Sequence, residues 1–293
     1  MVKQLKERLT CSGFSSFSGE SLFGTAPIWE GCICIEVPLP WEPDILFSGF
    51  FRRHFLSEIL TQYSKDFPRF RIIGITSDST PSENGIRVLS FQNDGHKSLK
   101  TSYTFPEEDF RNRLLSLINN ADCKGIKPFM EPRNSAQDYL VCTHGNRDVC
   151  CGFWGYQLYK QLFDNYSSPS VRIWRASHIG GHKFAPTVVS LDDARFWGRV
   201  EAKNFAHVIH REKKMATINP MYRGKATCRS FQEQLIEKEF FSMFAWDLDH
   251  KQLEIQSSKD DVLGAEYTVS LIDTKHHDNV CTRYQVRIQK EPD

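Results

Sequence analysis

Short runs of alternating apolar and polar residues recur along the first two thirds of the chain, separated by stretches with helical spacing. Alternation predicts strands at residues 31–38, at FRIIGIT (70–76) and at GIRVLSF (85–91). Apolar residues recur at helical spacing over residues 51–64 and 107–119. The first half therefore has the order strand, helix, strand, strand, helix.

The same order restarts after a polar, proline-punctuated stretch at residues 123–137, which has the composition of a linker. Beyond it the pattern predicts a strand at 138–142, a helix at 151–163 and strands at 171–177 and 185–191. This element order is that of a thioredoxin-like unit. We therefore predict an α/β fold with two thioredoxin-like units in tandem, although no residue-level repeat relates them.

The pattern changes from Thr217 onward. A helix candidate at 229–246 is followed by alternating strands at 252–258, 266–273 and 282–289, which indicate a small C-terminal α+β annex. His276 and His277 fall in a polar turn there. The predicted domains are 1–125, an N-terminal unit without ligand motifs; 126–215, the unit that carries them; and 216–293, the annex.

Composition excludes several function classes. With 37 basic and 36 acidic side chains in 293 residues, the chain offers no bulk charge for nucleic acid or an anionic membrane surface. We find no run near 18 apolar residues and no signal-peptide pattern at the start, so we expect no membrane insertion and a cytoplasmic location.

Nine cysteines in a reducing compartment argue against a disulfide framework and leave burial, metal binding or redox chemistry. Cys32 and Cys34 are two apart in a predicted strand, where a thiol serves as a small hydrophobic residue. Cys228 and Cys281 have no neighbouring ligand type and are interpreted in the same way.

A denser group of potential ligands lies in CTHGNRDVCC, residues 142–151, between a predicted strand and a predicted helix. A second loop after the next strand, SHIGGHKFAP (177–186), carries His178 and His182. Two loops that follow neighbouring strands can converge on one point. Two cysteines and two histidines are donors that suit zinc or an iron-sulfur cluster.

The spacing of the two histidines would place them on one face of a helix, but Gly180 and Gly181 lie between them and Pro186 follows. A folded-back loop is the better interpretation. Glycines there also allow backbone amides to approach an anionic centre.

These motifs, together with GESLFGTAP (19–27), WGRV (197–200) and YRGKA (222–226), resemble the sucrase/ferredoxin-like proteins, which are thioredoxin-like 2Fe-2S ferredoxins. The resemblance runs from about Cys11 to Ala226. It implies a 2Fe-2S cluster bound by Cys142 and Cys151 through C-x8-C, and by His178 and His182 through HxxxH.

Several neighbours of these ligands keep open roles. Cys150 is the alternative to Cys151, since either offers a thiolate. His144 is a spare donor inside the ligand loop, interpreted as a hydrogen-bonding partner of the ligands. We expect Gly180, Gly181, Arg175 and Lys183 to support the ligands in the same way, without binding the metal themselves.

Two cysteines from one loop and two histidines from the other would give a Rieske-like division, with one iron bound by thiolates and one by imidazoles. Neutral imidazole in place of thiolate raises the potential, roughly into the range −150 to +300 mV. We also predict that reduction is coupled to protonation at His178 or His182, so that the midpoint potential depends on pH.

Basic side chains in or beside the ligand loops, Arg147, Arg175 and Lys183, are either solvated charges or a collar that docks an acidic protein partner. The predicted partners are a protein electron donor or reductase and an acceptor. Between a redox carrier and a stand-alone enzyme, we favour a redox carrier.

Two other functions use the same residues: a zinc-binding structural or interaction module, and a thiol oxidoreductase. The chain lacks a P-loop, a dinucleotide-binding glycine fingerprint and a hydrolase nucleophile elbow, and no sucrase activity is predicted.

Overall fold

The computed structural model describes residues 10–79, 85–93, 98–119, 136–261, 264–273 and 281–289. Most of the predicted linker, including Cys123, lies outside these ranges, as do His276 and His277. The described chain is a mixed α/β structure with one large sheet and one small sheet, which confirms the predicted α/β class and the antiparallel strands of the annex.

The first part of the chain carries four helices and four strands within the described residues. They are α1 (Cys11–Phe17), β1 (Gly31–Glu36), α2 (Gly49–Arg53), α3 (Ser57–Asp66), β2 (Phe70–Thr76), β3 (Ile86–Asn93), β4 (Ser98–Phe105) and α4 (Phe110–Asn119). The single helix predicted over 51–64 is wrong. It is broken between Arg53 and Ser57, where Phe55 adopts a left-handed backbone with φ 53° that a helix cannot contain. The sequence pattern also missed α1 and β4.

The middle part contains β5 (Gln137–Cys142), a π-helical turn (Cys151–Gly155) that continues into α5 (Tyr156–Tyr166), β6 (Val171–Ala176), β7 (Val188–Ser190), β8 (Arg195–Trp197), α6 (Ala202–Ile209), α7 (Met215–Ile218) and β9 (Tyr222–Lys225). Alternation predicted β5, β6 and β7, whereas β8 and β9 are too short to show a period.

The last part consists of α8 (Phe231–Phe244), a 3-10 turn (Ala245–His250) and the antiparallel strands β10 (Lys251–Asp261), β11 (Gly264–Asp273) and β12 (Cys281–Gln289). Ser230 caps α8, since its side chain accepts a hydrogen bond from the Glu233 N–H at 3.1 Å. The predicted burial of Cys281 is wrong: it is exposed at the end of an edge strand, while Cys228 is buried as predicted.

Nine strands form the large sheet in the order β4-β3-β1-β2-β6-β5-β7-β8-β9. The pairs β1–β2 and β5–β6 are parallel, and each is connected through helices. The central pair, β2–β6, is antiparallel and short, with Ile75 opposite Ala176 and Thr76 opposite Arg175. β9, from the segment predicted as the annex, pairs with β8 and forms one edge.

Strand β1 shows how alternation distributes side chains between the two faces of this sheet. Ile33 and Ile35 pack into a core with α4, while Cys32 and Cys34 face a second core on the other side. The Sγ atoms of this pair lie 4.0 Å apart and are buried, as predicted. The second core also contains Cys142 and Cys151 of the ligand-rich segment.

Candidate metal centre

The segment CTHGNRDVCC begins at the end of a strand and ends in a helical turn. Cys142 is the last residue of β5, and Cys151 is the first residue of the π-helical turn before α5. Gly155 allows the turn to pack onto the strand end, because a Cβ there would overlap the carbonyl oxygen of Cys142 and lie 3.0 Å from its carbonyl carbon. The close approach fixes the two cysteines relative to each other.

The turn between the two cysteines is stabilised by Asp148. Its Oδ1 accepts hydrogen bonds from the backbone N–H groups of Cys150 at 2.9 Å and Cys151 at 3.3 Å. A carboxylate in this position accepts hydrogen bonds from amides that have no partner at a helix start. Its negative charge also interacts favourably with the positive end of the helix dipole. Asp148 is one site residue that the sequence analysis missed, although an aspartate immediately before a helix start is a recognisable capping signal, and the helical backbone begins at Val149.

The second loop follows β6, the parallel neighbour of β5, so both loops leave the same edge of the sheet. It contains His178, then Gly180 and Gly181 with φ of 93° and 80°, and His182 at the start of a 3-10 turn (His182–Phe184). The left-handed conformation at both glycines turns the chain back, which confirms the folded loop predicted in place of a helix.

The two loops bring three potential metal ligands together. The ligand atoms of Cys142, Cys151 and His178 all lie within 4.8 Å of one another. Both cysteines are buried and His178 is half-buried. The sequence-predicted convergence of a cysteine loop and a histidine loop is therefore present for three of the four residues.

His182 lies beside this group but outside it. Its ring centroid is 6.1 Å from that of His178, and 47% of its side chain is exposed. Its Nδ1 lies 3.7 Å from an Asp148 carboxylate oxygen, so the capping residue of one loop also faces the histidine of the other.

Cys150 is buried, yet it does not belong to the group of converging donors among the described residues. Its neighbour Cys151 occupies that position. The arrangement therefore distinguishes two adjacent thiols that the sequence left as alternatives.

The environment of Cys142 favours a thiolate. Hydrogen bonds from the Cys151 and His178 side chains hold the pKa of Cys142 well below its usual range in spite of burial, and the backbone amides of Ile179 and His144 act in the same direction. The hydrogen bond and the negative charge of Cys142, together with burial, raise the pKa of Cys151. A buried thiolate that accepts hydrogen bonds from backbone amides is suited to bind a metal.

His144 supports the histidine loop. Its Nε2 lies 2.8 Å from the Glu42 carbonyl oxygen, and its Nδ1 accepts a hydrogen bond from the His178 N–H at 3.2 Å. The first contact assigns the ring proton to Nε2, because a carbonyl can only accept. His144 thus has the hydrogen-bonding position that the sequence analysis gave it.

Two of the predicted basic residues have partners of their own. The Arg175 guanidinium lies over the Tyr156 ring at 5.0 Å and 3.9 Å from Asp78, and Lys183 forms an ion pair with Glu20. Arg147 instead lines a cavity of about 240 Å³ beside His178, together with Arg71.

Arg223 is a second residue near the site that sequence reasoning did not single out, although it lies in the YRGKA motif. Its guanidinium is buried against the glycine pair of the histidine loop and donates a hydrogen bond to the Gly180 carbonyl at 3.1 Å. A lone arginine in a short strand carries no sequence signal of burial, since arginine is usually exposed.

The donor set fits a metal or an iron-sulfur cluster. His178 Nδ1 is buried and has no hydrogen-bond partner within the described residues, which leaves a nitrogen lone pair or N–H for another group. Thiolate sulfur and imidazole nitrogen are ligands that zinc and iron-sulfur clusters share.

Comparison with known proteins gives both a family and more distant relatives. No helix in the described ranges is long and apolar enough to cross a membrane, and no solved structure matches the chain. The chain is 31% identical over 93 residues to "Altered inheritance of mitochondria protein 32" of Meyerozyma guilliermondii, covering 29% of this chain and 33% of the relative. Its namesake in Saccharomyces cerevisiae is 30% identical over 96 residues, covering 29% of this chain and 31% of the relative.

The chain thus spans about a third of the length of these curated relatives. A much longer match is found with a family model that covers residues 22–224, from the segment before β1 to β9. This range includes both candidate ligand loops and every strand of the large sheet except the last residue of β9. The chain belongs to the sucrase/ferredoxin-like family.

Proposed function

We propose that this protein is an electron-transfer protein that binds a 2Fe-2S cluster through Cys142, Cys151, His178 and His182. The observation that carries the proposal is the convergence of two cysteines and a histidine within 4.8 Å at a buried point. The thiolate-favouring environment of Cys142 and the unpartnered Nδ1 of His178 support it. When bound, such a cluster exchanges single electrons with a partner.

His182 completes the proposed ligand set. It is on the same loop as His178, with ring centroids 6.1 Å apart, and the glycines between them allow the loop to fold around a bound group. Asp148 lies 3.7 Å from the His182 Nδ1 and can orient that ring from its second nitrogen, as carboxylates do for ligating histidines.

The supporting residues would set the properties of the site. The amides of Ile179 and His144, directed at the Cys142 sulfur, stabilise negative charge there. His144 fixes the backbone at His178 through the bond to its N–H. Burial of both cysteines limits the access of water and oxidants to the thiolates.

Electron partners would approach at the ligand loop. Val149 and Phe153, which flank the two adjacent cysteines, are 71% and 56% exposed. Arg147 is exposed in the same loop, and with Arg71 it lines the cavity beside His178. Among the described residues neither arginine lies within 4.0 Å of a carboxylate oxygen. An apolar contact edged by free arginines favours a protein partner with an acidic surface, either donor or acceptor.

The strand order supports two related units. Counted outward from the short β2–β6 pairing, one half has the order β2-β1-β3-β4 and the other has the order β6-β5-β7-β8. In each half the first pair of strands is parallel and the next two pairs are antiparallel. We assign each half to a thioredoxin-like unit, with the predicted boundary at residues 125/126 and the annex from 216. The second unit carries both ligand loops. We still predict a redox carrier without hydrolase activity and with a cytoplasmic location. The name of the relatives refers to mitochondria.

The test is an absorption spectrum from about 300 to 700 nm of anaerobically purified protein, before and after dithionite, with iron, sulfide and zinc assayed on the same sample. We expect bands that bleach on reduction and about two irons and two sulfides per chain. Stoichiometric zinc without sulfide would instead favour the zinc module, for which the same donors suffice.

Two adjacent thiols provide a matched pair of variants. Cys151→Ser removes a converging donor and should abolish iron and sulfide binding. Cys150→Ser alters a buried neighbour outside the group and should retain the wild-type spectrum. Thiol activity that survives His178→Ala would favour a thiol oxidoreductase, since that chemistry does not need the histidine.

A further inference from the structure

Arg223 is a buried cation that has no carboxylate partner in the described part of the chain. It is 2% exposed, and its guanidinium donates hydrogen bonds to the Thr25 Oγ1 at 3.1 Å, the Thr25 carbonyl at 2.5 Å and the Gly180 carbonyl at 3.1 Å. Among the described residues no carboxylate oxygen lies within 4.0 Å of it. All three acceptors are neutral.

The other fully buried arginine near the sheet edge is different. The Arg195 guanidinium lies 2.9 Å from Asp193, 2.7 Å from Asp249 and 3.5 Å from Glu237. Three carboxylates thus lie close enough to neutralise the buried charge of Arg195. Arg223 has no such neighbour within the ranges that the structure describes.

A buried charge that is not neutralised costs several kcal/mol, and carbonyl dipoles offset this cost only in part. Burial lowers the pKa of Arg223 to about 10, while the negative charge of Cys142 acts in the opposite direction. The nearby anion is thus a residue of the candidate metal centre.

The guanidinium is also fitted closely to the loop that carries the two histidines. A Cβ at Gly181 would lie 2.5 to 2.7 Å from three guanidinium atoms, so only glycine leaves room for it. On its other sides it lies 5.2 Å from the Phe184 ring centroid and 5.7 Å from that of Phe196. The aromatic rings and the loop fix the position of the charge.

We propose that Arg223 is the internal counter-charge of the metal centre, a positioning residue that holds the loop at Gly180 and Gly181 and favours the reduced state of the site. The inference rests on the proposed function, since it assigns a role relative to the 2Fe-2S cluster.

The electronic consequence follows from charge balance. One electron from an external one-electron donor lowers the total charge of the site by one unit. Arg223 neither gains nor loses a proton or an electron in that step, and its fixed positive charge stabilises the more negative state. Removing it therefore lowers the midpoint potential.

The experiment compares Arg223→Gln with Arg223→Lys and with Arg199→Gln in the full-length, cluster-loaded protein. Lysine keeps the positive charge but loses the fork of donors. Arg199 is the matched control, since its guanidinium lies 5.6 Å from the same Phe184 ring but donates hydrogen bonds to Ser15 and not to the histidine loop. For each protein we measure iron and sulfide content and the midpoint potential by anaerobic dye titration at one fixed pH.

We expect Arg223→Gln to shift the reduction equilibrium at least tenfold toward the oxidised state, which is about 59 mV for one electron. Arg223→Lys should recover most of that shift, and Arg199→Gln should match the wild type. If Arg223→Gln fails to bind a cluster, recovery of cluster binding by Arg223→Lys supports the charge role.

Two results would overturn the inference. The first is a wild-type midpoint potential in cluster-loaded Arg223→Gln. The second is equal loss of the cluster in Arg223→Gln and Arg223→Lys while Arg199→Gln binds the cluster normally. Both outcomes would assign Arg223 a purely structural role. A wild-type protein without iron and sulfide would overturn the proposed function itself, before any variant is compared, and this inference with it.

Discussion

Gly155→Ala is the substitution that tests most directly how the fold sets the distance between the two cysteines. In the structure a Cβ at this position would overlap the Cys142 carbonyl oxygen and lie 3.0 Å from its carbonyl carbon. Both groups are backbone, so no side-chain rotation can relieve the overlap. Either the π-helical turn or the end of β5 has to move.

The magnitude follows from this geometry. Overpacking in a well-packed interior costs about 1 to 3 kcal/mol, and an overlap with backbone belongs at the upper end of that range. We expect Gly155→Ala to lower the free energy of unfolding by about 3 kcal/mol. Because the turn carries Cys151, we also expect iron binding to fall.

Gly49→Ala is the matched control. Gly49 is the first residue of α2, where a Cβ meets nothing within 4 Å and the backbone is not left-handed. We expect this change to stabilise the protein by about 0.4 to 1 kcal/mol, because alanine restricts the unfolded chain. Urea unfolding of both variants, with iron content measured in parallel, checks the pair. Equal stability of Gly155→Ala and wild type would show that the contact between Gly155 and the Cys142 carbonyl does not constrain the turn.

Three further predictions concern the surroundings of the site. His144→Ala removes the acceptor of the His178 N–H and should weaken metal binding by about 10- to 100-fold, measured by competition with a chelator; unchanged affinity would contradict the supporting role. Asp138→Asn should lower the free energy of unfolding at pH 7 by about 3 to 5 kcal/mol, because its buried carboxylate binds Arg172 at 2.7 Å and Lys100 at 2.6 Å. Burial alone would raise the pKa of Asp138, but these two cations lower it below 3.8. The stability that the carboxylate contributes is therefore present above about pH 4 and is lost as the pH falls through the lowered pKa. Urea unfolding from pH 3 to 7 should show this loss of stability in wild type and not in Asp138→Asn. Arg147→Gln should reduce the rate of reduction by an acidic protein donor at low salt and leave the rate at high salt unchanged, and equal rates at every ionic strength would argue against docking at this loop.

Much of the fold could be predicted from sequence because alternation and helical spacing are local properties. β2 was predicted over residues 70–76 and extends over Phe70–Thr76, because three isoleucines in one short apolar run favour a strand. The split between α2 and α3 could not be predicted, because the left-handed backbone at Phe55 depends on packing around the turn. β8 and β9 have three and four residues, too few to show a period.

The candidate site divides in the same way. The chemical types of the ligands, and the folded loop at Gly180 and Gly181, are written in the sequence, because donor atoms and left-handed glycines are properties of single residues. The choice between Cys150 and Cys151 depends on which thiol the helical turn directs toward Cys142. Neighbouring residues in a turn point in different directions, and no spacing rule orders them.

Sequence alone determined that this chain is a mixed α/β protein with two ligand-bearing loops at successive strand ends. The packing of the elements is needed to show that Cys142, Cys151 and His178 meet, that His182 lies outside this group, and that among the described residues the buried charge of Arg223 has no carboxylate beside it. The reason is physical: local patterns fix the conformation of a segment and the chemistry it carries. Distances between segments, and the burial of a charge, arise only when β5, β6 and β9 pack into one sheet.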